Sequence, residues 1–69
     1  MTQCEQILRH LRNEGSITQR EAAQRYGIYR LAARIYDLRR DGHDIQKTME
    51  EGENSQYARY YLEQTTMSL

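Results

Sequence analysis

TQREAAQRYGIYRLAARIYDLRR, residues 18–40, is the stretch on which the reading of the whole chain turns. Thr18-Gln19-Arg20-Glu21 has the S/T-x-x-E form of a capping box, in which residues one and four satisfy each other's backbone N–H groups. A helix therefore starts at Gln19. Ala22, Ala23 and Tyr26 form its inward side, and the small alanines let another helix approach closely. Gly27 stops it, and Ile28 anchors the turn in the core. A second helix runs from Tyr29 or Arg30 to Arg40 or Asp41, with Gly42 as its C-terminal cap. At ~100° per residue, Leu31, Ile35 and Leu38 cluster within about 60° and point inward, with Ala32 at the margin. Arg30, Ala33, Tyr36, Asp37 and Arg40 lie opposite, and Arg34 and Arg39 flank them. Long donors thus surround one small residue, Ala33.

Towards the N-terminus, Thr2-Gln3-Cys4-Glu5 is a second capping box. Cys4, Ile7, Leu8 and Leu11 follow at i, i+3, i+4 and i+7, the stripe of an amphipathic helix. This first helix spans 3–13, ends at Asn13-Glu14-Gly15, and carries Arg12 in its last turn, where positive charge suits the helix dipole. Ser16-Ile17 is long enough only for a connector or a one-residue bridge to a sheet, with Ile17 plugged under the next helix. Beyond Gly42 the period changes from 3.6 to 2. His43 to Glu50 alternates, with Ile45, Lys47 and Met49 on one face. Glu51 to Ser55 is a polar loop, and Gln56 to Leu62 alternates again, with Ala58, Tyr60 and Leu62 on one side. That is a β-hairpin. The domain is expected to span 1–62, with 63–69 a flexible tail unless Met67 and Leu69 dock on a partner.

The fold class is then mainly α with a small β-hairpin, three helices followed by a two-stranded wing. Residues 22–23, 27–28, 31–39 and 42–45 (AA, GI, LAARIYDLR and GHDI) carry a resemblance that covers residues 3–62. The chain resembles the small winged helix-turn-helix domains of phage and prophage genomes. That resemblance implies a DNA-binding module, often a regulator of transcription or recombination. One departure is plain: the hairpin loop carries Glu51 and Glu53, where wings that grip the minor groove present Arg or Lys. The third helix must then do most of the reading.

Composition bounds the alternatives. A chain of 69 residues forms one small domain, and without Trp, Phe or Val its core is drawn from Leu, Ile, Ala, Met, Cys and parts of six Tyr. Such a chain buries only about 60% of the surface it exposes when unfolded. Mean hydropathy is −1.02. No apolar run approaches the ~20 residues of a membrane span, and no signal-peptide core follows Met1, so a cytoplasmic protein is expected. A single Cys excludes an internal disulfide and a Cys-based zinc site. His10 and His43 have no partner at metal-ligand spacing and read as surface or capping residues. Cys4 reads as a small core hydrophobe. No phosphate loop, H-E-x-x-H or G-x-S-x-G motif is present. Neither catalytic residues, nor a metal, nor a cofactor is expected, and the chain reads as a non-enzyme.

Formal net charge is zero, which taken alone argues against a nucleic-acid binder. Its distribution argues the other way. Residues 1–43 hold eight Arg against five acids, and residues 44–69 hold Lys47 and Arg59 against five acids, so +3 is set against −3. Nine of the ten cations are Arg, whose planar fork fits phosphates and guanine edges.

The residues assigned to DNA are Arg30, Ala33, Arg34, Tyr36, Asp37 and Arg40 on the third helix, and Tyr29 just before it. Gln19 and Arg20 join them at the second helix's N-terminus, where N–H groups favour phosphate, and Lys47 on the hairpin. Each has a plainer reading. A basic face is often only solvated, the tyrosines suit ordinary half-burial, and Asp37 suits an ion pair with Arg34 or Arg40 worth a few tenths of a kcal/mol. Arg39, nearer the core flank, is placed to pair with an acid of the hairpin. The partner expected is double-stranded DNA, with no membrane, and the small contact area of one module calls for a homodimer, repeated sites or a second protein. The alternative is a protein-interaction module on the same scaffold, an inhibitor or adaptor of a host protein. The acidic loop and the Tyr-rich last strand motivate that reading.

Overall fold

The computed structural model describes residues 2–63. The element order is α1 (Gln3–Glu14), β1 (Ser16–Thr18), α2 (Gln19–Tyr26), α3 (Leu31–Arg40), β2 (Ile45–Glu51) and β3 (Gln56–Leu62). Both capping boxes are closed. Thr2 Oγ1 accepts from the Glu5 N–H at 3.1 Å and Glu5 Oε1 accepts from the Thr2 N–H at 2.8 Å. Thr18 and Glu21 repeat the exchange at 3.2 and 3.0 Å. These caps fix where α1 and α2 begin, because each satisfies donors that a helix start otherwise leaves open.

Glycine sets two of the exits. Gly27, with φ 68°, turns the chain after α2, and its N–H donates to Ala23 O at 3.0 Å. After α3, Gly42 has φ 104° and donates to Arg39 O at 3.0 Å, while the His43 N–H donates to Leu38 O at 3.1 Å. That pair of bonds is a Schellman motif, with Asp41 as C-cap and the left-handed residue just after it. It delivers the chain directly into β2.

Ile7 and Leu11 of α1, Ile17 of β1, Ala22 of α2, Ile28 of the turn, Leu31, Ile35 and Leu38 of α3 and Ile45 of β2 form one buried core. Cys4, Leu8, Tyr26, Tyr60 and Leu62 pack against it, half-buried. Each buried Leu or Ile contributes ~1.5–3 kcal/mol relative to exposure. The row Leu31, Ile35, Leu38 therefore fixes which way α3 faces.

The sheet differs from the expected hairpin. It has three antiparallel strands in the order β1-β3-β2. Ser16, Ile17 and Thr18 pair with Tyr61, Tyr60 and Arg59 of β3, so the segment expected to be a connector or a one-residue bridge is a three-residue edge strand. Three residues show no measurable alternation, and their partner strand lies at the far end of the sequence. β2 pairs with β3 from Ile45↔Leu62 to Glu51↔Gln56. Because β1 reaches only as far as Arg59, the outer half of the hairpin is a two-stranded arm. Lys47 and Met49, expected to share a face with Ile45, share it in register but are exposed along that arm.

His10 also differs from expectation. It is 3% exposed, and its Nδ1 shares a 2.8 Å hydrogen bond with Tyr26 Oη, the rings meeting edge to face. A histidine read as surface is thus the polar link between α1 and α2. Of the expected tail, only Glu63 lies within the described residues; its N–H donates to Asp44 O at 2.8 Å. Residues 64–69, with the proposed docking of Met67 and Leu69, lie outside them.

The two central helices are held at their turn by one side chain. Gln19 Nε2 donates to Ile28 O at 2.8 Å, and its Oε1 accepts from the Leu31 N–H at 3.2 Å. Gln19→Ala leaves that carbonyl and that N–H unpaired, at an expected cost of ~1–3 kcal/mol. Urea unfolding measures it directly. Gln24→Ala, at an exposed position of the same helix, is expected to stay within ~0.5 kcal/mol of the parent.

Candidate nucleic-acid interface

With Leu31, Ile35 and Leu38 buried, the opposite side of α3 is left to solvent. Ala32, Tyr36, Arg39 and Arg40 are exposed on it, and Arg30 precedes it at the N-cap with no side-chain cap bond. Tyr29 and Tyr36, seven positions apart, are 77% and 62% exposed, more than any other large apolar side chains among the described residues. Tyr36 carries Arg40 above its ring, with the guanidinium carbon 5.6 Å from the centroid.

The exposed face is rotated from the one the sequence indicates. Ala33 and Arg34 are half-buried, and Ala32 is the small residue open to solvent. The cause is α1, which covers the Arg34 flank: Cys4 Sγ lies 3.9 Å from Arg34 O. Arg34 Nε is buried without an acceptor among the described residues, and Nη2 reaches Asp37 Oδ2 at 3.2 Å. Arg40 Nη2 lies 3.8 Å from the other oxygen, Oδ1. Asp37 therefore stands between two guanidinium groups, as its spacing in sequence indicated.

The remaining assigned residues lie on other elements. Arg20 is exposed near the start of α2, and Lys47 is exposed on β2. Gln19 is beside Arg20, but its amide is already engaged with the turn and α3. Arg39 does not pair with an acid of the hairpin. Its Nε donates to Ile45 O at 2.9 Å and ties α3 to the base of β2. Ala32 and Arg39 belong to the exposed face and were missed as assigned residues. Their positions on the helical wheel were visible, but nothing in the sequence says which flank of α3 the first helix covers.

The arm carries its own polar network. Arg59 Nε donates to Glu50 Oε1 at 2.9 Å, and its Nη1 donates to Ser16 Oγ at 3.1 Å. The guanidinium also lies 6.0 Å from the Tyr57 ring centroid. Hydrogen bonding to Arg59, with Tyr57 adding to it, holds the Glu50 carboxyl below its ordinary 4.5, and the carboxylate in turn raises Arg59. Glu51 and Glu53, at the tip, make no ion pair among the described residues. No group of three or more His, Cys, Asp or Glu side chains among the described residues is placed to hold a metal ion. No described helix is long and apolar enough to cross a membrane.

A short turn between two helices, a second helix with a basic and aromatic outer face, and a hairpin beside it now stand together. A family model described as a winged helix-turn-helix domain matches residues 2–65. The chain belongs to the winged helix-turn-helix family. Comparison with curated proteins and with solved structures returned no match. Winged helix-turn-helix domains are typically DNA-binding modules, which makes DNA the ligand class to which this face points.

The Glu50–Arg59 pair yields a pH test of the wing. A carboxyl whose folded value is depressed stabilises above its unfolded value, and that contribution is lost as pH falls through the folded one. The wild type is therefore expected to unfold at higher temperature than Glu50→Gln at pH 7, and the gap is expected to close as pH drops below about 4.5. Paired thermal melts at pH 7 and pH 3 measure this.

Proposed function

We propose that this winged helix-turn-helix protein binds specific sequences of double-stranded DNA, as a regulator of transcription or recombination carried by a phage or other mobile element. The observation that carries the reading is the outer face of α3, where Arg30, Tyr36, Arg39 and Arg40 are open to solvent while Leu31, Ile35 and Leu38 are buried. In this reading α3 enters the major groove, whose base edges carry a distinct pattern for every pair. Arg20 and Arg30 take phosphates on either side, and Tyr29 and Tyr36 meet sugar or phosphate. Ala32, with Ala33 beside it, leaves room for close approach to the bases. The hairpin lies alongside, because Glu51 and Glu53 would be repelled from a minor groove lined by phosphates. One module of this size covers roughly 600–1,000 Å² of DNA contact. Working affinity then comes from a homodimer, repeated sites or a second protein.

A second reading, an adaptor or inhibitor of a host protein, draws on the arm, where Met49 is 55% exposed and Tyr57 39% beside an acidic tip. Salt separates the two. A protein that neutralises several phosphates loses affinity with a log–log slope near −0.9 per phosphate, whereas a protein-binding module shows little affinity for duplex at any salt. After selection of a preferred site from a random duplex pool, Arg20→Ala is expected to lower the slope by about 1 without changing base preference. Arg34→Ala is expected to relax the preference, costing ~1–3 kcal/mol on the selected site. An unchanged footprint and affinity in both variants would remove the DNA reading.

A further inference from the structure

At the margin of that face, where the exposed Arg40 and the half-buried Arg34 meet one carboxylate, we propose that Asp37 is a positioning residue that turns two arginines into one pre-set reader of guanine edges. It rests on the reading of α3 given above and adds what sets its selectivity. Asp37 sits three positions after Arg34 and three before Arg40, so each arginine is a helix neighbour of the carboxylate, while the two arginines themselves lie about 120° apart around the axis. Each carboxylate oxygen takes a different arginine, Oδ2 facing Arg34 Nη2 at 3.2 Å and Oδ1 facing Arg40 Nη2 at 3.8 Å. Both arginines are restrained a second time. The Arg34 stem is half-buried with its Nε enclosed, so only its outer nitrogens can reach a ligand. Arg40 is held over the Tyr36 ring.

A free arginine on a helix surface loses much rotamer freedom when it binds, and prior restraint reduces that loss. The restraint also favours one direction of approach. A fork held in one orientation discriminates a guanine, with its paired O6 and N7 acceptors, from other bases better than a fork free to follow any phosphate. The carboxylate itself works against affinity, since it carries negative charge on a face that meets phosphates. Asp37 thus lowers binding to DNA in general and raises the contrast between sequences. Two guanidinium groups held by one carboxylate address guanines within two or three base-pair rises of ~3.4 Å. The ligand class is a duplex with closely spaced guanines.

The test compares the full chain with Asp37→Asn and Asp37→Glu, on the selected duplex and on random duplex, at one salt concentration. For Asp37→Asn, affinity for random duplex is expected to rise about two- to five-fold, the scale of one exposed charge. The ratio of selected to random affinity is expected to fall about ten-fold or more, the scale of one guanine contact. Asp37→Glu keeps the charge but moves the carboxylate. It is expected to leave random-duplex affinity near that of the parent while still lowering the ratio, so the proposal stays testable even where the Asn variant folds poorly. In a chain already carrying Arg34→Ala and Arg40→Ala, Asp37→Asn is expected to leave the ratio within about two-fold, because a positioning residue acts only through its partners.

Equal gains on both duplexes for Asp37→Asn would reduce Asp37 to a repulsive charge. An unchanged ratio for Asp37→Glu, or an equal fall in the arginine-less background, would overturn the positioning role. A parent chain that selects no sequence and shows no salt-dependent affinity would instead overturn the DNA reading of α3, and this proposal with it.

Discussion

The amide of Gln19 and the buried Ile28 together set the angle at which α3 leaves α2. Ile28 provides the apolar anchor of the turn, and Gln19 pairs the Ile28 carbonyl and the first N–H of α3, two backbone groups that would otherwise lack partners there. Everything outward of this joint follows from it. Once α3 leaves the turn in a fixed direction, burial of Leu31, Ile35 and Leu38 leaves one rotation of the helix, and that rotation decides which side chains meet solvent. The Schellman turn at Gly42 and the Arg39 bond to Ile45 then fasten the other end of α3 to the sheet. The outward face of α3 is therefore a rigid-body consequence of a joint made from a few atoms. That suits a protein with so few large core residues, because a hydrogen bond in a fixed place holds an angle that a sparse apolar core would leave loose.

Local signals in the sequence were enough for most of this architecture. The capping boxes at Thr2 and Thr18, the turn at Gly27-Ile28 and the strand Gln56–Leu62 are all decided by neighbours within a few residues, and each lies where its motif indicates. The buried row of α3 was legible for the same reason, since 3.6-residue periodicity is a local property. What was not legible depends on partners distant in sequence. β1 exists because β3 comes to lie beside it, His10 is buried because Tyr26 reaches it, and Gln19 is structural because Ile28 and Leu31 come within its reach. The candidate face divides along the same line. Arg30, Tyr36 and Arg40 were visible from the helical wheel, whereas the exchange of Ala33 for Ala32 as the open small residue required knowing that α1 covers the Arg34 flank.

The charge pattern acquires a physical sense in this light. Taken over the whole chain the charges cancel, yet they are sorted between the helices and the arm, so the field is dipolar rather than absent. Any electrostatic steering by such a distribution is local rather than global. Arg59, bonded to both Glu50 and Ser16, makes the base of the arm electrically self-contained, and leaves at the tip the acid that has no ion pair among the described residues.

The strand order carries a consequence for how the molecule comes into being. β3 is the middle strand although it is the last of the described elements to be synthesised, and its two neighbours never touch each other. On a ribosome, β1 and β2 must both wait as open edges until the stretch ending at Leu62 has emerged. The helical part can form early from local contacts, but the sheet closes in one late event that zips both sides at once. Emergence of β3, rather than helix formation, is then the step at which the sheet becomes whole.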